Sequence, residues 1–99
     1  MQVSLPLIES MLYGILASLQ GYKGERIGKT RVGDYTVSTI DTADAGWETA
    51  IWKGGGDIIV VARYATKQEA EQGHRDWIEI CKLNPTTAWS VQMDEYITL

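Results

Sequence analysis

Asp57-Ile58-Ile59-Val60-Val61-Ala62-Arg63-Tyr64-Ala65-Thr66-Lys67-Gln68-Glu69-Ala70 is the stretch whose reading decides the fold. Its first eight residues form a β-branched run of strand length. Thr66-Lys67-Gln68-Glu69 then has the spacing of a capping box, in which a hydroxyl and a carboxylate satisfy orphan donors of a first helical turn. Beyond the cap, Ala70, His74, Trp77 and Cys81 fall on one stripe, joined by Gly73, Ile78 and Ile80. Lys67, Glu71, Arg75, Asp76, Glu79 and Lys82 lie mostly off that stripe, so an amphipathic helix is expected over 66–83, stopping near Asn84 ahead of Pro85.

Upstream, Tyr35-Thr36-Val37-Ser38-Thr39-Ile40 and Trp47-Glu48-Thr49-Ala50-Ile51-Trp52 alternate, and Lys53-Gly54-Gly55-Gly56-Asp57 supplies a flexible turn. A β-meander over 35–64 follows. The triple glycine lacks the Gly-Lys-Ser/Thr ending of a phosphate loop and precedes a strand, so it reads as a hairpin turn. Downstream, Trp89, Val91 and Met93 alternate, and 86–99 is expected to be a fourth strand or a packing arm whose edge pairs with another protomer. Tyr22 to Gly33 reads as a polar connector with a short strand at most. Its Lys23, Arg26, Lys29 and Arg31 are a candidate anion contact, or simply a solvated loop. Leu5, Ile8, Met11, Leu12, Ile15, Leu16 and Leu19 repeat at helical spacing between Pro6 and Gly21, giving an expected N-terminal helix over 5–20. The fold class is therefore α+β: one domain over 1–99, with a small antiparallel sheet of three to four strands packed by helix 66–83, plus the N-terminal helix.

Composition narrows the function. The chain has 99 residues, nine Lys plus Arg against thirteen Asp plus Glu, and a net charge of -4. That balance offers no electrostatic footprint for duplex nucleic acid or an anionic membrane. One cysteine cannot build a disulfide framework, and one cysteine with one histidine cannot form a tetrahedral zinc site without help from carboxylates or another subunit, so neither metal nor cofactor is expected and the compartment reads as cytoplasmic. The segment 5–19 lacks a basic leader and is too short and too punctuated by Glu9, Ser10 and Ser18 to span a bilayer.

An ordered pattern runs through the middle of the chain: Gly33-x-Tyr35-x-Val37-Ser38-Thr39, then Glu48-Thr49, then Arg63-Tyr64-x-Thr66-x-x-Glu69-Ala70-x-x-Gly73-His74. Over about half the chain, from Gly28 to Trp77, it resembles a family of small phage and prophage proteins. The resemblance implies a phage-encoded accessory protein of the infected bacterial cytoplasm. It carries over no catalytic residues.

The inventory of groups points to binding more than to catalysis. Nucleophilic catalysis needs a hydroxyl or thiol beside a base with an orienting partner, and the one histidine lies on the apolar stripe of a helix. His74 is expected as a packed residue hydrogen-bonded to strand backbone or to Glu48, with a ligand role as the alternative. Asp41, Asp44, Glu48, Asp57 and Asp94 show no metal-loop spacing. Four tryptophans and five tyrosines, by contrast, supply rings able to fill a core or to stack on bases. The expected function is a phage anti-defence protein, a homo-oligomer that sequesters a small nucleotide immune signal without catalysis. The expected ligand-binding residues are Arg63, Tyr64, His74, Trp47 and Arg31, with rings stacking the base and cations holding phosphate. The alternatives are an anti-CRISPR-like inhibitor that binds a host defence protein, and an enzyme that degrades the signal.

Overall fold

The computed structural model of the protein describes residues 25–42 and 46–99. Four strands, β1 (Arg26–Val32), β2 (Tyr35–Thr42), β3 (Gly46–Lys53) and β4 (Ile59–Tyr64), form an antiparallel sheet in the order β1-β2-β3-β4. Helix α1 (Lys67–Lys82) follows, and β5 (Thr87–Ser90) and β6 (Glu95–Thr98) close a separate two-stranded hairpin. The α+β class and the meander agree with expectation. The expected N-terminal helix over 5–20 lies outside the described residues.

The fourth strand of the sheet differs in origin from the one read in the sequence. It is β1, drawn from the segment expected as a connector, while the C-terminal residues pair with each other. The turn Gly33-Asp34 explains β1: Val32 pairs with Tyr35, and Gly33 has φ 61 at the first of two turn positions, where a side chain would strain the backbone. Glycine-aspartate between Thr30-Arg31-Val32 and Tyr35-Thr36-Val37 was the available signal, obscured by the low apolar content of β1.

Two irregularities set which side chains face the helix. The register slips between Arg26 and Gly28 on β1, and between Thr49 and Ala50 where β3 meets β4. In the second, Ala50 pairs with Val60 and Thr49 with Ala62, so Val61 is the extra residue of a bulge. Ile59 and Val61 both enter the core, and alternation resumes one residue out of step, placing Tyr64 beneath the helix and Arg63 on the opposite face.

The core lies between sheet and helix: Tyr35, Val37, Ile51, Ile59 and Val61 pack with Cys81 and with Ala88 of the hairpin, flanked by Trp77 and Ile78. The Tyr35 hydroxyl donates to the Pro85 carbonyl and ties the end of α1 to the sheet. Thr66 caps α1 as expected, accepting from the Glu69 amide at 3.1 Å. The Glu69 carboxylate accepts from the Thr66 hydroxyl at 2.9 Å in place of the backbone N–H of a capping box. At the other end Asn84 adopts φ 54, donates to the Cys81 carbonyl and precedes Pro85, which stops the helix where the sequence places it.

Candidate functional site

Between α1 and the sheet runs a buried polar chain. Tyr64 donates its hydroxyl to Thr49 Oγ1 at 3.1 Å, Thr49 and Thr39 hydroxyls are 2.6 Å apart, and Thr39 Oγ1 is 2.8 Å from His74 Nδ1. On the ring's other side Thr30 Oγ1 is 3.0 Å from Nε2. One proton order satisfies every group: Tyr64 to Thr49, Thr49 to Thr39, Thr39 to Nδ1, and Nε2–H to Thr30. In this order the imidazole is neutral and both its nitrogens are engaged. Burial holds its pKa below the ordinary imidazole range.

Two glycines make room for this chain. A Cβ on Gly28 would sit 2.8 Å from His74 Nε2, so β1 reaches the ring only because that position is bare. A Cβ on Gly73 would sit 2.1 Å from the Tyr64 hydroxyl oxygen, so the tyrosine ring lies directly against the helix backbone. Burial raises the Tyr64 pKa; the Thr49 hydrogen bond opposes this, and the negative charge of Asp76 adds to it. The arrangement is that of a structural network: Thr39, the hydroxyl bonded to Nδ1, is fully buried and cannot meet a substrate. The expectation that His74 bonds to strand backbone or to Glu48 is corrected, because its partners are threonine side chains and Glu48 points to the other face of the sheet.

That other face carries the cations. Following the register from β1 to β4, one row is Arg26, Ile40, Glu48 and Arg63, and the next is Lys29, Ser38, Ala50 and Val60. A third row holds Arg31, Thr36 and Trp52. Each row begins with an exposed cation on edge strand β1. Arg26 Nη1 donates to Ser38 at 3.2 Å, and the Lys29 ammonium stands 5.7 Å from the centre of the half-buried Trp52 ring. Arg63 bonds the buried Glu48 carboxylate at 3.2 Å.

The five residues expected to bind ligand are thus divided by the sheet. Trp47 pairs directly with Tyr64 on the helix side, where His74 also lies, while Arg63 and Arg31 are on the far side and in different rows. They do not line one pocket. Only Arg31 shares the row of Trp52, whose ring the Lys29 ammonium faces, and its Nε donates to the Gly33 carbonyl at 3.2 Å; Lys29 and Trp52 were legible as a basic residue and a ring but not as neighbours. The helix N-terminus near Arg63 is capped by Thr66, which accepts from the Glu69 amide, and holds Lys67 against Glu25 at 2.7 Å. Among the described residues no cluster of three or more His, Cys, Asp or Glu could hold a metal ion, and no helix is long and apolar enough to cross a membrane.

No family model, curated protein or solved structure matches the chain.

Proposed function

We propose that the protein is a non-catalytic binding protein for a small anionic ligand bearing an aromatic ring, taken up where β1 and Trp52 form the open part of the far face. The supporting observation is the alignment of Arg26, Lys29 and Arg31 in one exposed column beside the Trp52 ring, a local excess of positive charge in a chain of net charge -4. A base stacking on Trp52 displaces Lys29 from the ring and frees its ammonium for a phosphate oxygen, with Arg31 one row away as the second cation. The resemblance of the Gly33 to His74 pattern to small phage proteins supports an accessory role in the infected cytoplasm, and on this reading the ligand is a nucleotide immune signal that the protein sequesters.

Calorimetry with cyclic dinucleotides and cyclic ADP-ribose isomers tests this reading. Binding of one member below about micromolar concentration is expected, weakened at least tenfold by Trp52→Ala or by Lys29→Ala with Arg31→Ala, and heating the complex should return the nucleotide intact. The proposal fails if no member binds, or if the released ligand is a product. A second reading has its own support: Leu83 is 81% exposed, Tyr96 71% and Trp89 41%, with the Trp89 and Tyr96 rings stacked edge to face at 4.9 Å. Such rings suit contact with a host protein or with another copy of the chain. Sedimentation across a dilution series of wild type and Tyr96→Ser measures the self-association.

A further inference from the structure

Among the described strands, one edge lacks the protection the others have. An edge strand presents unpaired N–H and C=O groups that template a further strand, and charge, bulges or a covering element normally block it. β1 carries Arg26, Lys29 and Arg31 and a register slip between Arg26 and Gly28. β4 is met on its outer side by the hairpin, where the Val91 amide donates to the Val60 carbonyl at 3.0 Å. β6 has none of these devices: its ladder with β5 is regular, Glu95 is its only charge, and Tyr96 and Thr98 are exposed. Among the described residues only β5 pairs with it.

The hydrogen-bond pattern identifies the free groups. The Leu99 amide donates to the Thr86 carbonyl at 2.8 Å, toward β5, and bonding residues alternate along an antiparallel pair. Ile97 and Glu95 therefore bond inward, and the backbone groups of Tyr96 and Thr98 point outward. We propose that β6 pairs antiparallel with β6 of a second copy about a two-fold axis at Ile97, joining the two hairpins into one continuous sheet. Tyr96 and Thr98 of one copy then exchange backbone bonds with Thr98 and Tyr96 of the other, which uses every outward group of the strand. Three features select a second copy as the occupant. The outward residues are placed symmetrically about Ile97, so the edge is complementary to itself. Glu95 comes opposite Leu99 and not opposite its own counterpart, so no like charges meet. A two-fold axis normal to the sheet keeps each face on its own side, so the Trp89 and Tyr96 rings of both copies form one aromatic strip. The proposal rests on the second reading above, which it commits to one occupant and one edge, and it does not depend on the ligand reading.

The test is sedimentation velocity of the full chain over a dilution series. Wild type is expected to dimerise with a dissociation constant of roughly 1–100 µM, in keeping with a small interface. Thr98→Pro removes an N–H that points away from β5, so the hairpin keeps its own bonds and the urea midpoint of dilute protein should stay at the wild-type value. Its dissociation constant should rise at least tenfold. Should the proline disturb folding, a charge-exchange pair reads the same contact: Tyr96→Lys with Thr98→Lys, and Tyr96→Glu with Thr98→Glu. Each is expected to be monomeric alone, because like charges then face each other, and the two mixed should form a one-to-one dimer. A wild-type chain that is monomeric at about 1 mM overturns the proposal together with the self-association reading. Dimers of folded Thr98→Pro as tight as wild type, or charge variants that stay apart when mixed while wild type dimerises, overturn the β6 edge alone and leave self-association standing.

Discussion

Gly73→Ala should destabilise the protein, against the trend of its own helix. In an exposed helix interior alanine is favoured over glycine by about 0.8–1.0 kcal/mol. Here the added Cβ would lie 2.1 Å from the Tyr64 hydroxyl oxygen and 2.2 Å from its Cζ, far inside contact distance. Either the helix lifts from the sheet or the ring swings away. Overpacking of this kind costs about 1–3 kcal/mol, and the swing also breaks the Tyr64 to Thr49 hydrogen bond, worth about 1 kcal/mol. Subtracting the helix gain leaves a net loss of about 2 kcal/mol, which for a domain of this size lowers Tm by roughly 8–16 °C. The assay is urea denaturation followed by tryptophan fluorescence, with the midpoint falling at constant slope. The decisive comparison is the Tyr64→Ala background, where the obstruction is gone and Gly73→Ala should now stabilise by about 1 kcal/mol. A stabilising Gly73→Ala in the native background, or equal effects in both backgrounds, would refute the proposed contact.

Other perturbations address the same framework. Burial lowers the His74 pKa, so at mildly acidic pH the unfolded chain binds the proton more readily than the folded one. The His74 contribution is therefore complete above the unfolded value of about 6.5 and is lost as pH falls below it toward the lower folded value. Denaturation midpoints from pH 7.5 down to 5.5 should decline in the native chain, and His74→Gln should remove that part of the slope. Thr39→Val keeps the side-chain shape but leaves His74 Nδ1 and the Thr49 hydroxyl short of a partner, so a loss of about 1–3 kcal/mol is expected by the same denaturation assay. Thr66→Ala removes the helix cap and should cost about 1 kcal/mol, largely restored by Thr66→Ser; circular dichroism during thermal unfolding reads both.

The relation between sequence and structure is clearest around β4 and α1. The cap at Thr66, the apolar stripe of α1 and its end before Pro85 are local matters of hydrogen-bond satisfaction and helical period, and all were legible from residue order. The alternation of β2 and β3 was legible for the same reason: a half-buried strand repeats every two residues. β1 was harder because its exposed positions are cationic and two of the positions facing α1 are Gly28 and Thr30, which pair with an imidazole instead of filling an apolar core. Its hydrophobic signal is weak where its structural role is polar.

What the sequence alone determined is the set of elements: a capped amphipathic helix following a β-branched strand, with two alternating strands before it. Only the tertiary structure decided which side chains meet. From Ile59 and Val61, simple alternation would send Arg63 toward the helix and Tyr64 away from it. The bulge opposite Thr49 and Ala50 reverses that assignment, so Tyr64 closes the threonine–histidine chain and Arg63 pairs with Glu48 on the other face. A bulge sets two residues of one strand against one of its partner, so it exists only once the two strands pair and is not carried by the local alternation of either. Arg63 is therefore separated from Tyr64 and His74, its companions in the same stretch, by the sheet that the stretch helps to build.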